Sequence, residues 1–273
     1  MLYPLSYGGV SVILSDTNTA CAIIPPMDTE KLLPLTSPEA IDALSKVKVI
    51  YTDLDGTLLA PGGTLLNDNA GEPSLATAQA IIDLRRAGIE IVPVSGRNRI
   101  QMGEITRMMG IDGFISELGG ITVLGRGAHA QTTYDRGEWS DDLYPGMTPA
   151  EVAIESGAIA ALLNAFPGLL EPHVPWTENR EITTIFRGRV DAERAARILG
   201  TIEPSFTLLD NGTIHPPIHE LALTDDIRAY HLLPTGTNKV NALARDMARR
   251  GVSREETVAI GDSFADGVMG EAT

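Results

Sequence analysis

Val47-Lys-Val-Ile-Tyr-Thr-Asp-Leu-Asp-Gly-Thr-Leu-Leu59 is the most informative segment of this chain. Its β-branched run 47–51 predicts a buried strand, and Gly56 breaks the pattern. Asp53 and Asp55 are therefore expected at the carboxyl end of a strand, the edge of an α/β sheet where ligands bind. Two neighbouring carboxylates repel each other, so a divalent metal ion is the expected neutralising partner. A solvated Asp-x-Asp-Gly turn is the alternative for these residues taken alone.

The composition is that of an ordinary globular chain. Its 273 residues are 43% hydrophobic and 21% charged, enough for one large domain or two modest ones. The net charge of -15 argues against general nucleic-acid or anionic-membrane binding, because no basic face is available to release counterions. The single cysteine, Cys21, excludes an internal disulfide, and no run reaches the length of a membrane span. We predict a cytoplasmic enzyme.

Strands and helices are predicted to alternate after the first motif. A helix at 74–87 precedes a strand at 89–94 and a helix at 99–109, and a helix at 238–250 precedes a strand at 257–260. Such alternation favours an α/β fold, with a Rossmann-like parallel-sheet core and helices on both of its faces.

Between these two halves the pattern changes to short units broken by proline. We interpret residues 128–229 as an inserted α+β cap domain within a catalytic core formed by 47–127 and 230–273. Residues 1–46 are predicted to be an N-terminal extension.

Four elements are predicted inside the cap: a helix at 149–165, a strand at 181–187, a helix at 191–199, and a strand at 206–209 that turns at Asn211-Gly212. The parallel pattern of the core is expected to resume at Leu232.

Four short motifs lie at, or just beyond, the ends of the predicted parallel elements: Asp53-Leu54-Asp55-Gly56-Thr57, Ser95-Gly96-Arg97, Lys239, and Gly261-Asp262 with Asp266. In this order, with the insertion between the second and third, they resemble the haloacid dehalogenase superfamily of phosphotransferases. The likeness is greatest to its Cof-type and sugar-phosphate phosphatases, which carry a C2-type α/β cap. The family often has Glu-Asn-Gly after the third strand, where this chain has Leu118 in the middle position.

The resemblance implies a chemical role for each motif. Asp53 is the nucleophile that becomes an aspartyl phosphate, and Asp55 is the general acid and base. Lys239 balances the charge on the nucleophile and on the transferring group. A Mg²⁺ site and a phosphate site are implied at these positions: Asp53, Asp55, Asp262 and Asp266 for the metal, with Asp55 acting through its backbone carbonyl, and Ser95, Gly96 and Thr57 for the phosphoryl group.

Residues for contacting the rest of a substrate are harder to identify from spacing. Arg97, Arg180, Arg187 and His215 are the candidates, and an ordinary surface role is the alternative for each. Arg180 or Arg187 could clamp a second anionic group such as a carboxylate.

The resembling family continues through another strand and helix after the fourth motif, whereas this sequence stops at Thr273. From that comparison we expect a truncated core with an exposed sheet edge.

The function predicted from the sequence is that of a Mg²⁺-dependent phosphatase for a small phosphorylated metabolite, such as a sugar phosphate or a phosphoglycerate-linked sugar. A phosphomutase of the same superfamily is one alternative. A non-catalytic metabolite-binding protein with a truncated core is the other.

Overall fold

The computed structural model describes residues 2–7, 10–15, 36–140, 142–215, 218–262, 266 and 268–273. Cys21 and the fourth-motif residues 263–265 lie outside the described part of the chain. The chain forms two compact units. The first comprises residues 1–96, 101–133 and 239–273, and the second comprises residues 97–100 and 134–238.

Twelve strands are present in the described residues: β1 (Leu2–Tyr7), β2 (Val10–Ser15), β3 (Val49–Asp53), β4 (Glu90–Val94), β5 (Phe114–Ser116), β6 (Ile121–Leu124), β7 (Gln131–Tyr134), β8 (Leu170–Pro172), β9 (Thr184–Gly188), β10 (Phe206–Thr213), β11 (Arg228–Pro234) and β12 (Thr257–Ile260). Seven α-helices accompany them in the same part of the chain: α1 (Pro38–Leu44), α2 (Ala76–Arg86), α3 (Arg99–Met109), α4 (Pro149–Glu155), α5 (Ala158–Ala165), α6 (Ala192–Leu199) and α7 (Lys239–Arg250). None of the described helices is long and apolar enough to cross a membrane.

The first unit is built on an eight-stranded sheet in the order β2-β1-β12-β3-β4-β5-β6-β7. Strands β12, β3, β4 and β5 are parallel neighbours. Strand β1 pairs antiparallel with β2 and β12, and β6 pairs antiparallel with β5. The predicted α/β class with a parallel core is confirmed, and antiparallel strands extend the sheet on both sides.

Helices cover both faces of this sheet. On one face, Tyr51 of β3 packs in a common core with Leu243 and Met247 of α7. On the other face, Ile91 of β4 packs with Ile81 of α2. Because successive strand residues point to opposite faces, strands buried on both faces are apolar throughout, as the short run before Asp53 is.

The exposed sheet edge expected beside the last strand is absent. Strand β1 pairs with β12 there, with Leu5 opposite Ile260 and Ser6 opposite Ala259. The predicted exposed edge is therefore wrong, because residues 2–7 of the N-terminal extension supply the neighbouring strand.

The second unit has the α+β composition predicted for the insertion. Its four-stranded antiparallel sheet has the order β10-β11-β9-β8, and helices α4, α5 and α6 contribute to its core. The core is centred on buried side chains such as Leu162, Phe186 and Leu232. Trp139 lies in the same core and meets Phe206 edge to face, with ring centroids 4.9 Å apart.

Strand β11 corrects the prediction that the parallel pattern resumes at Leu232. It pairs antiparallel with β9 and β10 inside the second unit, which extends to Asn238. An apolar run buried in the middle of an antiparallel sheet reads the same as a parallel strand, so the sequence could not distinguish them.

Two further local predictions are wrong. Asn211-Gly212 does not form a hairpin turn but lies within β10, where the register with β11 shifts between Asp210 and Thr213. The flexible Asn-Gly pair is used for an irregularity in the strand, and Gly212 has a φ of 94°. The single helix predicted at 149–165 is two helices, because the chain breaks at Gly157 with a φ of 78°.

Candidate active site

The site lies where parallel strands of the first unit end. Asp53 is the last residue of β3, and its neighbour β12 ends at Ile260, just before Asp262. Ile260 lies opposite Thr52, and Asp53 lies opposite Val94, the residue before Ser95. Because these strands are parallel, three of the four motifs emerge at one edge of the sheet.

Helix α7 brings the third motif to this edge. The Lys239 Nζ atom donates hydrogen bonds to Asp53 Oδ1 at 2.9 Å and to Asp266 Oδ1 at 2.7 Å. The exposed fractions of these side chains are 14% for Lys239, 12% for Asp53 and 5% for Asp266. One buried ammonium group therefore joins two buried carboxylates.

The charges of the site perturb one another. Burial raises the pKa of Asp53 to about 7; Lys239 opposes this increase, whereas Asp266 and Asp262 add to it. Burial and the nearby Asp266 also raise the pKa of Asp262. Burial works against the charged form of Lys239, but Asp53 and Asp266 raise its pKa above the ordinary lysine value. Lys239 therefore stays protonated. Its single positive charge does not balance the three carboxylates of Asp53, Asp262 and Asp266.

The acids form a group that could hold a metal ion. One carboxylate oxygen from each of Asp53, Asp262 and Asp266 lies within 4.8 Å of the others. An all-oxygen donor set suits a small hard cation such as Mg²⁺. The side chain of Asp55 is exposed and is not part of this group, so its predicted contribution to a metal is limited to its backbone carbonyl.

Gly56 allows the first and fourth motifs to approach closely. Its φ is +92°, and a Cβ atom at this position would lie 2.3 Å from Asp262 Oδ2. Any side chain at residue 56 would therefore displace the Asp262 carboxylate or the turn itself. The neighbouring Thr57 hydroxyl lies 3.4 Å from Asp262 Oδ1, to which it donates. Thr57 thus orients an acid of the site.

Ser95 of the second motif is buried and fixed by its backbone. Its amide donates to the Ile115 carbonyl at 3.0 Å, and its carbonyl accepts from the Leu118 amide at 3.2 Å. These two contacts tie the Ser95 backbone to the segment 115–118. Gly96 is partly buried and is the last residue of the segment 1–96 of the first unit.

The turn at Glu117-Leu118-Gly119, where the resembling family often has Glu-Asn-Gly, lies beside this motif. Glu117 and Leu118 are both buried and have positive φ values of 49° and 57°. Residues without glycine's freedom seldom adopt this conformation, and such strain clusters at functional sites. The adjacent Gly119-Gly120 pair was the available signal for an unusual turn.

The four candidates for contacting the rest of a substrate are in the second unit: Arg97, Arg180, Arg187 and His215. Arg187 Nε donates to Glu171 Oε1 at 2.6 Å, and both side chains are largely buried. Arg180 donates to the Trp176 carbonyl and to the Thr183 hydroxyl. Arg187 is therefore already neutralised by Glu171.

Arg97 is half-buried and His215 is exposed. Trp176, whose carbonyl accepts from Arg180, is 50% exposed.

Comparison with known proteins gives the site a context. Residues 50–137, which contain the first two motifs, match the family model of haloacid dehalogenase-like hydrolases. The chain is 28% identical over 228 residues to the phosphoglycolate phosphatase of Methanoculleus marisnigri, covering 83% of this chain and 81% of that relative.

Solved structures share the fold. A haloacid dehalogenase-like hydrolase from Bacteroides thetaiotaomicron has a TM-score of 0.52 at 16% identity, covering 82% of this chain and 84% of the other. The sucrose-phosphatase of Synechocystis sp., solved with sucrose and phosphate, has a TM-score of 0.51 at 17% identity, covering 82% and 78%.

A parallel sheet that ends in buried carboxylates joined by one lysine is the architecture of an α/β enzyme with an acidic active site. The match over residues 50–137 and the order of the four motifs make this chain similar to the haloacid dehalogenase-like hydrolases.

Proposed function

We propose that this protein is a Mg²⁺-dependent phosphatase that hydrolyses a small phosphorylated metabolite through an aspartyl phosphate on Asp53. The observation that carries the proposal is the contact of a buried carboxylate, at the end of a central strand, with the Lys239 ammonium group at 2.9 Å. The name of the Methanoculleus relative supports the same class of reaction.

In the first step, an Asp53 carboxylate oxygen attacks phosphorus and the bond from phosphorus to the leaving oxygen breaks. Asp55 donates a proton to that oxygen, a role that its exposed side chain permits. In the second step, Asp55 takes a proton from water as the water attacks the aspartyl phosphate. Inorganic phosphate leaves, and the Asp53 carboxylate is restored.

The attack requires an ionised Asp53 next to a phosphate dianion. Lys239 favours the ionised carboxylate and offsets part of the added negative charge. Asp53, Asp262 and Asp266, with the Asp55 backbone carbonyl, are the residues that would hold Mg²⁺, which supplies further positive charge at the phosphoryl group.

The presence of Asp55 favours a phosphatase over a dehalogenase. A halide leaves without a proton, so a dehalogenase would not need this second carboxylate. An alkoxide leaving group does need one, because protonation lowers the barrier to its departure.

The proposed substrate class combines the sequence prediction with the name of one relative. Sugar phosphates and phosphoglycerate-linked sugars are the class predicted from the sequence, and 2-phosphoglycolate is added by the name of the Methanoculleus relative. Cytoplasmic location also stays a prediction.

The test is release of inorganic phosphate from a panel of these phosphate monoesters, with Mg²⁺ and with excess chelator. We expect release that depends on the metal and is lost in Asp53→Asn. Asp83→Asn, an exposed carboxylate on α2, is the matched control and should retain the wild-type rate.

Full activity of Asp53→Asn would overturn the proposal. Isomerised sugar phosphate without free phosphate would instead identify a phosphomutase. Ligand binding without turnover and without a trapped aspartyl phosphate would identify a metabolite-binding protein.

A further inference from the structure

A buried polar network crosses the interface between β3 and α7 in the first unit. The Tyr51 hydroxyl donates to Asp246 Oδ2 at 3.0 Å, and Arg250 Nε donates to the same oxygen at 2.5 Å. Tyr51 and the Asp246 side chain are fully buried, and the Arg250 side chain is 4% exposed. None of these three residues belongs to the four motifs.

This network is not explained by stability alone. Removing an ion pair from water is costly, and apolar residues of similar volume often stabilise a core as well or better. Moreover, Asp246 Oδ1 and Arg250 Nη2 are buried without a hydrogen-bond partner among the described residues. The best-attested use of such buried polar contacts is to fix the register of packed elements.

The geometry of the strand and the helix shows which register is fixed. Tyr51 and Asp53 are two residues apart on β3, so their side chains point to the same face of the sheet. Lys239 and Asp246 are seven residues apart on α7, two helical turns, so they lie on the same side of the helix. Tyr51 contacts Asp246, and Asp53 contacts Lys239.

Two such contacts constrain α7 more than one does. The apolar packing of Leu243 and Met247 holds α7 against the sheet but does not by itself specify its register, and a single polar contact would fix it at one point only. The second contact lies about 10 Å further along the helix axis, at a rise of about 1.5 Å per residue. Together they fix both the position and the rotation of the helix that carries Lys239.

Arg250 also contacts a residue of the sheet in the first unit. Its Nη1 atom pairs with Glu90, the first residue of β4. A Cβ atom on Gly113 would lie 2.6 Å from the Val123 carbonyl oxygen and 3.3 Å from Arg250 Nη2, so the backbone passes close to the guanidinium group. Arg250 therefore links the far end of α7 to the start of β4.

We propose that Tyr51, Asp246 and Arg250 are positioning residues that place Lys239 against Asp53. The three act through α7, and none of them belongs to the group formed by Asp53, Asp262 and Asp266. The catalytic part of this inference rests on the proposed function; the structural part does not.

The kinetic test uses Tyr51→Phe, which removes one hydroxyl and adds no volume. A misplacement of about 1 Å can reduce turnover by about 100-fold, and we expect a loss in kcat of about tenfold with little change in KM. In a Lys239→Gln background the same substitution should cause no further loss, because the residue through which it acts is already gone. Equal losses in both backgrounds would overturn the inference.

Val92→Ala is the matched control for general loosening of the core. Val92 is fully buried in β4 and belongs to the same apolar cluster as Tyr51, but it makes no contact in the network that the structure describes. It should lower the melting temperature and leave kcat near the wild-type value. A tenfold loss in kcat here as well would show that the effect of Tyr51→Phe is not specific.

A crystal structure of Tyr51→Phe gives a second readout that needs no turnover. We expect α7 to be displaced and Lys239 Nζ to lie beyond hydrogen-bond distance of Asp53. An unchanged contact at 2.9 Å would overturn the inference, whether or not the wild-type protein releases phosphate. Asp246→Asn, which keeps an oxygen acceptor for Tyr51 but loses the charge, serves if Tyr51→Phe does not fold.

Discussion

Asp53 and Asp55 are two residues apart, yet the structure gives them opposite surroundings. Asp53 is buried, contacts Lys239, and has its pKa raised by burial to about 7. Asp55 is exposed and stands outside the group of acids. Different surroundings for two nearby carboxylates are the basis on which a nucleophile and an acid-base residue divide their roles.

Asp55→Asn tests the proposed division. Without a proton donor, a poor alkoxide leaving group should depart about 10²- to 10⁴-fold more slowly. A substrate with a good leaving group, p-nitrophenyl phosphate, should lose less in the first step, which a burst of p-nitrophenol would report. Equal loss of that burst and of alkyl phosphate turnover would contradict the role given to Asp55.

At the scale of elements, strand β3 and the turn after it bring the acids together. Residues 99–109 and 257–260 were predicted with the bounds that the structure has, because their helical and apolar patterns are strong and their ends are marked by turn residues. The Gly157 break and the strand irregularity at Asn211-Gly212 were missed, since the same residues also suit a helix with one glycine and a hairpin turn.

Gly56→Ala tests whether this turn shapes the metal site, and Gly62→Ala is its control. Both glycines have positive φ, +92° and +85°, so alanine should destabilise both by about 1 kcal/mol. Only at Gly56 would the added Cβ meet Asp262; at Gly62 nothing lies within 4 Å. Gly56→Ala alone should therefore raise the Mg²⁺ concentration needed for half-maximal activity, and equal metal titrations of the two variants would contradict this.

At the scale of the whole molecule, the excess of acid at the site links metal binding to stability. The chain carries a net charge of -15. Two carboxylates, Asp53 and Asp266, contact Lys239, and a third, Asp262, lies close to both of them. A cation that binds only the folded state should stabilise it by about 2.7 kcal/mol at 100 times its dissociation constant.

Calorimetry with increasing Mg²⁺ checks this expectation. The melting temperature should rise with metal in the wild-type protein and hardly change in Asp262→Asn. Asp112→Asn, an exposed acid that pairs with Arg126, should respond like the wild type. A melting temperature that does not depend on Mg²⁺ in any of the three would contradict a metal site at these acids.

The stability of the second unit should depend on pH through His173. Burial, together with Arg187 and Arg180, lowers the pKa of His173 to about 4 from its ordinary value of 6.5. Between these two pH values the unfolded chain binds more protons than the folded chain, so this histidine makes stability fall as the pH is lowered through that window.

His173→Gln should therefore lose less in melting temperature between pH 7 and pH 5 than the wild-type protein does. His129→Gln, at an exposed histidine of the first unit, should keep the wild-type difference. The same difference in all three proteins would contradict the effect of His173.

The α/β class and the position of the motifs near strand ends were predictable from the sequence, because periodicity and turn residues report on local backbone and on which strands are buried. Which distant residues meet became visible only in the folded chain. Lys239 contacts Asp53 across 186 residues, and Tyr51 contacts Asp246 across 195. The folded chain also shows that β11 runs antiparallel within the second unit and that β1 lies beside β12. The physical reason is that strand direction and long-range pairing follow from how whole elements bury their faces, and an apolar run of a few residues is compatible with several of those arrangements.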